Sequence, residues 1–193
     1  YSHLHNPGPG VGGHCLPLYP YLLLSEARNL DVSLKLVKNS RIVNEQMPWH
    51  VVRLASEGLR QCGKVVSRAR VSVLGISYRA NAKETRSSPA VELVNLLRRR
   101  RARVRVFDPK FSAKELTALG YETAPSWKSA VERADCVIVT VLHDEFIRLD
   151  PRGFALAMRL PGLLVDCCGV FDPSSVEKAG LIYRGIGRGV WTK

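Results

Sequence analysis

The sequence contains no apolar run as long as a membrane-spanning helix requires, which is about 18 residues. Its best candidate, residues 16–24, is interrupted by Pro17 and Pro20. The opening residues also lack the pattern of a secretory signal peptide. Of the 193 residues, 46% are hydrophobic and 24% are charged, which is typical of a globular protein with one or two domains. We expect a soluble, cytoplasmic protein.

The sequence also lacks a regular cysteine framework and is poor in acidic residues. Its five cysteines are odd in number and unevenly spaced, which argues against a secreted disulfide scaffold and favours a reducing compartment. Only 17 Asp and Glu balance 29 Lys and Arg, so the formal net charge is +12. This excess predicts attraction to anions, whether phosphorylated small molecules, nucleic acid or acidic membranes.

The first part of the chain predicts a loop followed by two helices. Residues 1–15 are rich in Gly, Pro and His and begin abruptly, as at a cut end. A short helix is expected over residues 20–30. A much longer helix should then run to about Leu59, with Asp31 or Ser33 as its cap.

Pro48 lies inside the predicted long helix, so we expect a kink or a break there. A helix of this length usually joins domains or subunits. Residues 1–62 are therefore predicted to form a unit that carries a cysteine loop and a central helical, dimerising region.

Residues 63–193 predict strands that alternate with helices. Apolar strands are expected at residues 70–75, 104–107, 136–141, 163–165 and 181–183, and helices start at Ser88, Ser112 and Ser126. Continuous apolar strands between amphipathic helices indicate an α/β fold with a doubly wound, Rossmann-like parallel sheet. Ligands of such sheets bind beyond the carboxyl ends of the strands. Those ends are residues 75–88, 108–111, 142–146 and 166–172.

A glycine-rich segment precedes a cysteine near the start of the chain. Residues 8–13 contain the spacing G-x-G-x-x-G, but no apolar strand precedes it and no apolar helix follows, so the context does not favour a dinucleotide loop. Gly10, Gly12 and Gly13 could instead let the backbone approach a ligand closely. Cys15 follows where the loop meets a helix N-terminus, which favours a thiolate. The plain alternative is a buried, inert cysteine.

Other cysteines and histidines give weaker signals for a metal. Four metal-ligand side chains lie in one loop: His3, His5, His14 and Cys15. Their spacing matches no closed zinc pattern, so we expect no metal. The adjacent Cys167 and Cys168 are expected to be structural residues at a strand end.

The densest basic run has six arginines within residues 98–105 and could contact phosphate backbones. Four of them lie where a helix ends, which suits cations. The other two alternate with Val104 and Val106, as on an exposed strand face. Without interleaved aromatic residues, a nucleic-acid-binding domain stays a minor alternative.

A second basic segment follows the first predicted strand. Residues 75–89 carry Arg79, Lys83 and Arg86 and end at a predicted helix N-terminus. Because helix N-termini bind anions and this is where doubly wound sheets bind ligands, we expect a nucleotide phosphate here.

Several segments together resemble the UDP-glucose/GDP-mannose dehydrogenases, and within them the branch that acts on UDP-N-acetylhexosamines. Residues 8–15, Gly-Pro-Gly-Val-Gly-Gly-His-Cys, resemble the catalytic-cysteine loop of that branch. Residues 40–48 resemble the central helix motif, with Arg and Asn separated by two residues. Residues 75–89 resemble the family's loop G-x-x-[FY]-[KR]-x-N-x-x-[DE]-x-R-x-S-P. Further matches in the family's order are residues 107–110, 134–135, 143–146 and 165–166.

The resemblance implies NAD-dependent oxidation of the C6 alcohol of UDP-N-acetylmannosamine or UDP-N-acetylglucosamine to a carboxylate. In such an enzyme Cys15 attacks the aldehyde intermediate, and the reaction passes through a thiohemiacetal and a thioester. Arg86 is also implied as a contact of the NAD cofactor. The substrate-binding residues that the resemblance implies are Gly10, Gly12, Gly13, His14, Tyr78, Arg79 and Arg86.

The resemblance also implies that the family's N-terminal NAD-binding domain is missing, so we expect the chain to be inactive alone. A separate NAD-binding chain is a possible partner, and a homodimer or higher assembly is expected through the central helix. Tyr19 stands where the family has an aspartate, and Cys168 stands where a basic residue often follows Val-Asp. These departures leave open a non-catalytic module that binds nucleotide sugars or dimerises.

Overall fold

The computed structural model describes residues 7 to 188 and begins with two helices. Helix α1 spans Tyr19–Asn29 and helix α2 spans Lys35–Gln61. Both predicted helices are therefore confirmed. Of the kink or break expected at Pro48, the break is wrong, because α2 continues through this buried proline.

The expected caps of α2 are also wrong, because its N-cap is Leu34 and no side chain caps it. Asp31 instead ends α1, since its φ of +54° is left-handed and its N–H donates to the carbonyl of Arg28. The N–H of Val32 donates to the carbonyl of Ala27 at 2.7 Å. This pair of hydrogen bonds is a Schellman motif, which satisfies the last carbonyls of α1.

A six-stranded parallel sheet follows, in the order β3-β2-β1-β4-β5-β6. Its strands are β1 (Arg70–Leu74), β2 (Arg103–Phe107), β3 (Glu122–Thr123), β4 (Cys136–Val139), β5 (Gly162–Asp166) and β6 (Leu181–Gly185). The strand order reverses between β1 and β4, which makes the carboxyl ends of these strands the switch point where ligands of such sheets bind. The predicted doubly wound α/β fold is confirmed, whereas β3 was not predicted.

Six more helices connect the strands. They are α3 (Pro89–Arg99), α4 (Ala113–Ala118), α5 (Trp127–Val131), α6 (Asp144–Ile147), α7 (Pro151–Ala157) and α8 (Pro173–Lys178). Ser88 caps α3 as predicted, since its side chain accepts a hydrogen bond from the N–H of Ala90 at 3.2 Å. None of the helices within residues 7–188 combines the length and apolarity needed to cross a membrane.

The hydrophobic core lies on both faces of the sheet. One cluster joins α2 and α3 to the sheet, and the other joins α5, α7 and α8 to its opposite face. At Gly58 of α2 a Cβ atom would lie only 2.4 Å from the Leu163 side chain of β5. Helix α2 therefore rests directly on the sheet, and its N-terminal half projects toward the carboxyl ends of the strands.

The arginine run is largely engaged within the chain. Arg98 donates to the carbonyl of Gly120 at 2.9 Å and lies over the ring of Tyr121. Arg105 pairs with Glu122 at 2.9 Å. These contacts favour the interpretation of the run as a helix end and an exposed strand face.

Candidate functional site

The carboxyl ends of three neighbouring strands meet at one buried carboxylate. Asp108 follows β2, and its Oδ2 accepts hydrogen bonds from the backbone N–H of Ile76 (2.8 Å) and Ser77 (3.1 Å). The Ser77 hydroxyl (2.9 Å) and the His143 ring Nε2 (3.2 Å) donate to the same oxygen. Burial alone would raise the pKa of Asp108, but these hydrogen bonds, that of His143 foremost, hold it at about 2. At neutral pH the carboxylate is therefore ionised and acts only as an acceptor.

His143 carries this network to the loop that follows β1. Its Nδ1 accepts a hydrogen bond from the N–H of Asn81 at 3.0 Å. The side-chain oxygen of Asn81 in turn accepts from the N–H of Asp144 at 3.2 Å. The loop after β1 is thereby tied to the loop after β4.

The loop after β1, residues 75–88, carries three of the predicted substrate contacts and is called the arginine loop below. The N–H of Tyr78 donates to the carbonyl of Glu84 at 3.0 Å, and the Glu84 carboxylate accepts from the N–H of Arg86 at 2.9 Å. The Arg79 guanidinium lies over the Tyr78 ring, 5.9 Å from its centroid. Within residues 7–188, neither Arg79 nor Arg86 forms an ion pair with a carboxylate. Both exposed guanidinium groups can therefore meet an anion.

The glycine loop, residues 8–14, packs against the arginine loop. A Cβ at Gly12 would lie 2.5 Å from the carbonyl oxygen of Ser87. Gly13 has a left-handed φ of +94°, and a Cβ there would lie 2.9 Å from the Tyr78 ring. The close approach that these two glycines allow is thus to neighbours in the same chain, whereas the sequence had suggested a ligand.

Helix α2 holds the glycine loop from its other side. Asn44 accepts from the N–H of Val11 at 2.7 Å and donates to its carbonyl at 3.3 Å. Pro48 has no N–H for the carbonyl of Asn44, and that oxygen lies 3.3 Å from the Cβ position of Gly10. A cavity of about 460 Å³ lies beside this contact, and its walls include Arg41, Asn44 and Ser87. The guanidinium Nε of the buried Arg41 has no hydrogen-bond partner within the described part of the chain.

Cys15 is exposed, so the alternative that this thiol is buried is wrong. Its carbonyl accepts from the N–H groups of Leu18 (3.0 Å) and Tyr19 (2.9 Å), so the loop turns directly into α1. The neighbouring Cys15 side chain raises the pKa of the Tyr19 phenol above its usual value. His14 lies edge-on to the Tyr78 ring, and its Nε2 is 3.8 Å from the Glu84 carboxylate. The segment that bears Cys15 thus contacts the arginine loop.

The other cysteines and histidines of residues 7–188 form no cluster that would indicate a second site. Cys167 and Cys168 follow β5, and burial raises the pKa of both thiols, that of Cys168 to about 12. Their predicted position at a strand end is confirmed. His3 and His5 lie outside the described residues. Between residues 7 and 188, no three His, Cys, Asp or Glu side chains cluster as a metal site would require.

The residues described here do not fit NAD. The glycine loop packs against Tyr78 and Pro89 and leads through a turn into α1. In a dinucleotide site the glycine-rich loop instead joins a strand to the helix that follows it. The turn after β1 lacks the G-x-G-x-x-G spacing. Asp108, at the end of β2, is fully buried and its carboxylate accepts hydrogen bonds from Ile76, Ser77, His143 and Lys110, so it is not available to a ribose hydroxyl as the acid of a dinucleotide site is.

Sequence reasoning placed ligands at the carboxyl ends of the strands but did not identify Asp108, His143 and Asn81 as a network. A signal was present, because Asp108 directly follows an apolar strand and His143 follows another. The sequence alone does not show that these side chains point to one another.

Profiles of known families match both parts of the chain. The UDP binding domain of the UDP-glucose/GDP-mannose dehydrogenase family matches residues 72–173. The central domain of the same family matches residues 1–46.

Curated relatives and solved structures agree with these matches. UDP-N-acetyl-D-mannosamine dehydrogenase of Pyrococcus horikoshii is 35% identical over 186 residues, which are 96% of this chain and 41% of that protein. The structure of a UDP-D-ManNAc dehydrogenase from P. horikoshii aligns with a TM-score of 0.82 and 33% identity over 97% of this chain and 41% of that one. An NDP-N-acetyl-D-galactosaminuronic acid dehydrogenase structure from Methanosarcina mazei aligns with a TM-score of 0.84 and 26% identity, over 94% and 39% of the chains. The chain therefore spans about two-fifths of the length of these relatives.

The ionised state of Asp108 can be tested through the pH dependence of stability. Its folded pKa of about 2 lies below the unfolded value of about 3.9, so its contribution is complete above about pH 4 and is lost as the pH falls toward 2. We expect wild type to lose about 2 kcal/mol more unfolding free energy than Asp108→Asn between pH 5 and pH 2. Urea unfolding at several pH values measures this difference, and parallel pH curves for the two proteins would contradict it.

Proposed function

We propose, because the chain belongs to the UDP-glucose/GDP-mannose dehydrogenase family, that it is the nucleophile-bearing and UDP-sugar-binding portion of an NAD-dependent UDP-N-acetylhexosamine 6-dehydrogenase. The substrate is UDP-N-acetylmannosamine or UDP-N-acetylglucosamine. In support, a relative named for UDP-N-acetyl-D-mannosamine aligns over nearly the whole chain. His14, which precedes Cys15, is also typical of that branch.

The observation that carries this proposal is the contact between the glycine loop and the arginine loop. Gly12 and Gly13 rest on Ser87 and Tyr78. The arginine loop also presents Arg79, which has no acidic partner within the described residues. A diphosphate bound by arginine would therefore lie on the same surface as the segment that ends in the nucleophile.

The arginine loop also leads into the N-terminus of α3, an 11-residue helix that Ser88 caps. The partial positive charge of that N-terminus adds to the charge of Arg79 and Arg86. In this proposal Gly10, Gly12, Gly13, His14 and Tyr78 shape the sugar side of the site.

The proposed role of Cys15 is covalent catalysis. Its thiolate adds to the C6 aldehyde, forming a C–S bond and a thiohemiacetal. NAD held by another domain or a separate chain would accept the hydride twice, first in oxidation of the C6 alcohol to the aldehyde and again in oxidation of the thiohemiacetal. Cys15 would then carry the acyl group as a thioester until water adds at C6, the C–S bond breaks and the acid and the thiol are released. All five cysteines are free, which agrees with a reducing, cytoplasmic location.

Tyr19 supports a second candidate, a non-catalytic module that binds nucleotide sugars. The side chain beside Cys15 is a phenol with a raised pKa, and not a carboxylate that could accept a proton at neutral pH. A chain of this kind would keep the UDP-sugar site and lack turnover.

Helices α1 and α2 are proposed to join two copies of the chain. Their exposed faces carry large apolar side chains that a monomer would leave in water. Among these are Leu22, Leu23, Leu36, Ile42, Val43 and Trp49, each between 40% and 83% exposed.

Calorimetric titration with separate UDP-sugars and NAD tests the proposed site. We expect at least one of UDP-N-acetylmannosamine and UDP-N-acetylglucosamine to bind and NAD not to bind. Arg79→Ala should weaken UDP-sugar binding at least about tenfold, because a charge-assisted contact to phosphate is lost. Arg152→Ala, a control at an exposed arginine of α7, should bind normally. Binding of NAD alone, or equal affinity in both variants, would refute the proposal.

The role of Cys15 requires the whole enzyme. With the NAD-binding domain supplied, Cys15→Ser should reduce turnover by about 10²-fold or more while leaving UDP-sugar affinity within about threefold. Mass spectrometry should detect a covalent adduct on wild type only. Turnover that survives in Cys15→Ser would exclude the thioester route, and a wild type that binds UDP-sugar without turnover would favour the non-catalytic module.

Light scattering tests the association of two chains. Wild type should have twice the mass of one chain, and Val43→Glu on α2 should shift it toward the monomer, because a buried carboxylate without a partner is costly. Leu156→Glu is the matched control, since Leu156 is 90% exposed on α7. Equal masses for the two variants would argue against the helical interface.

A further inference from the structure

The arginine loop is held at Asn81, an exposed residue with a left-handed backbone. Its φ is +57°, a conformation that asparagine adopts more readily than most other non-glycine residues. Its N–H donates to His143 Nδ1 at 3.0 Å, and its side-chain oxygen accepts from the N–H of Asp144 at 3.2 Å. Two hydrogen bonds thus fix a solvent-exposed residue that contributes little to the core.

The charge of Asp108 decides which nitrogen of His143 carries the proton. Because the carboxylate is ionised, it accepts only, so His143 Nε2 must be the donor across the 3.2 Å contact. A neutral imidazole then has its lone pair on Nδ1, which is where the N–H of Asn81 points. The carboxylate therefore sets the tautomer that can hold Asn81.

The same carboxylate also fixes the start of the arginine loop. The N–H groups of Ile76 and Ser77 donate to Asp108 directly. Tyr78 and Arg79 lie between that anchor and Asn81. Asp108 thus holds the backbone just before Tyr78, and His143 holds it after Arg79, at Asn81.

We propose that His143 is a positioning residue for the nucleotide-sugar site: by accepting the N–H of Asn81, it holds Tyr78 and Arg79 where they meet the UDP-sugar. This inference rests on the proposed function. His143 does not touch the ligand and acts through the arginine loop. Its fully buried ring bridges a buried carboxylate and an exposed loop, which a residue needed only for packing would not do.

Two substitutions at His143 separate its two hydrogen bonds. The Asn side-chain oxygen takes the place of Nδ1, so His143→Asn retains the acceptor for Asn81 and loses the donor to Asp108. The Gln side-chain amide reaches toward Nε2, so His143→Gln retains the donor and loses the acceptor. His143→Asn leaves the larger space in the core, because its side chain is one methylene shorter than that of Gln, so thermal unfolding should show the larger loss of stability for His143→Asn.

UDP affinity, measured by calorimetry below the unfolding temperature, should differ between the two variants. We expect His143→Gln to bind UDP about tenfold more weakly than His143→Asn, because only the former leaves the N–H of Asn81 without its partner. Equal affinities would overturn the proposal, since the loss would then reflect packing alone.

A variant at Asn81 avoids the core. Asn81→Gly accepts the left-handed backbone and keeps the N–H that donates to His143, but it lacks the acceptor for Asp144. We expect it to bind UDP more tightly than His143→Gln does, with an unfolding temperature close to that of wild type. If Asn81→Gly binds UDP as weakly as His143→Gln, the side chain of Asn81 and not its N–H holds the loop, and the proposal fails.

Amide hydrogen exchange separates failure of this proposal from failure of the proposed function. The N–H of Asn81 should exchange at least about tenfold faster in His143→Gln than in His143→Asn, with no ligand present. If wild type binds no UDP-sugar, the proposed function fails and the positioning role fails with it, while faster exchange would still confirm the hydrogen bond itself. If exchange is equal in the two variants, the hydrogen bond is absent and the positioning proposal is wrong even where UDP-sugar binds.

Discussion

A buried carboxylate at the end of β2 is the constraint on which the site depends. An ionised group that is removed from water must find donors, and Asp108 finds them after β1, in Ile76 and Ser77, and after β4, in His143. These three strands are neighbours, in the order β2-β1-β4. The need to satisfy one charge therefore joins three loops that the sheet alone would only bring near one another.

The position of the glycine loop depends indirectly on the same carboxylate. Gly12 and Gly13 can rest on the arginine loop only if Ser87 and Tyr78 present a fixed surface, because a gap of a few tenths of an ångström separates contact from clash. Asn44 of α2 holds the other side of the glycine loop through hydrogen bonds with the N–H and the carbonyl of Val11. The place of Cys15 thus follows from a series of contacts that leads back to the sheet.

The sequence predicted the elements whose signal is local. Apolar strands and the Ser88 cap carry such a signal, and the structure contains them. Strand β3 does not, because Glu122 and Thr123 are polar and become a strand only by pairing with β2. Asp31 looked like a cap for the next helix, yet it ends the previous one, since either role suits the residue and only the tertiary path decides. In the site, Cys15 is marked by its motif, whereas the network around Asp108 joins residues more than 30 positions apart.

The position of the positive charges, more than their number, indicates where an anion would bind. Arg98 and Arg105 belong to the densest basic run, yet they are paired with a carbonyl, an aromatic ring and Glu122. Arg79 and Arg86 stand apart in sequence and keep no carboxylate partner within the described residues. Arg79 lies over the Tyr78 ring, and both guanidinium groups are exposed, so an anion that pairs with them replaces water and does not displace a carboxylate. The chain's attraction for phosphate is therefore expected at the carboxyl edge of the sheet, and not along its most basic stretch.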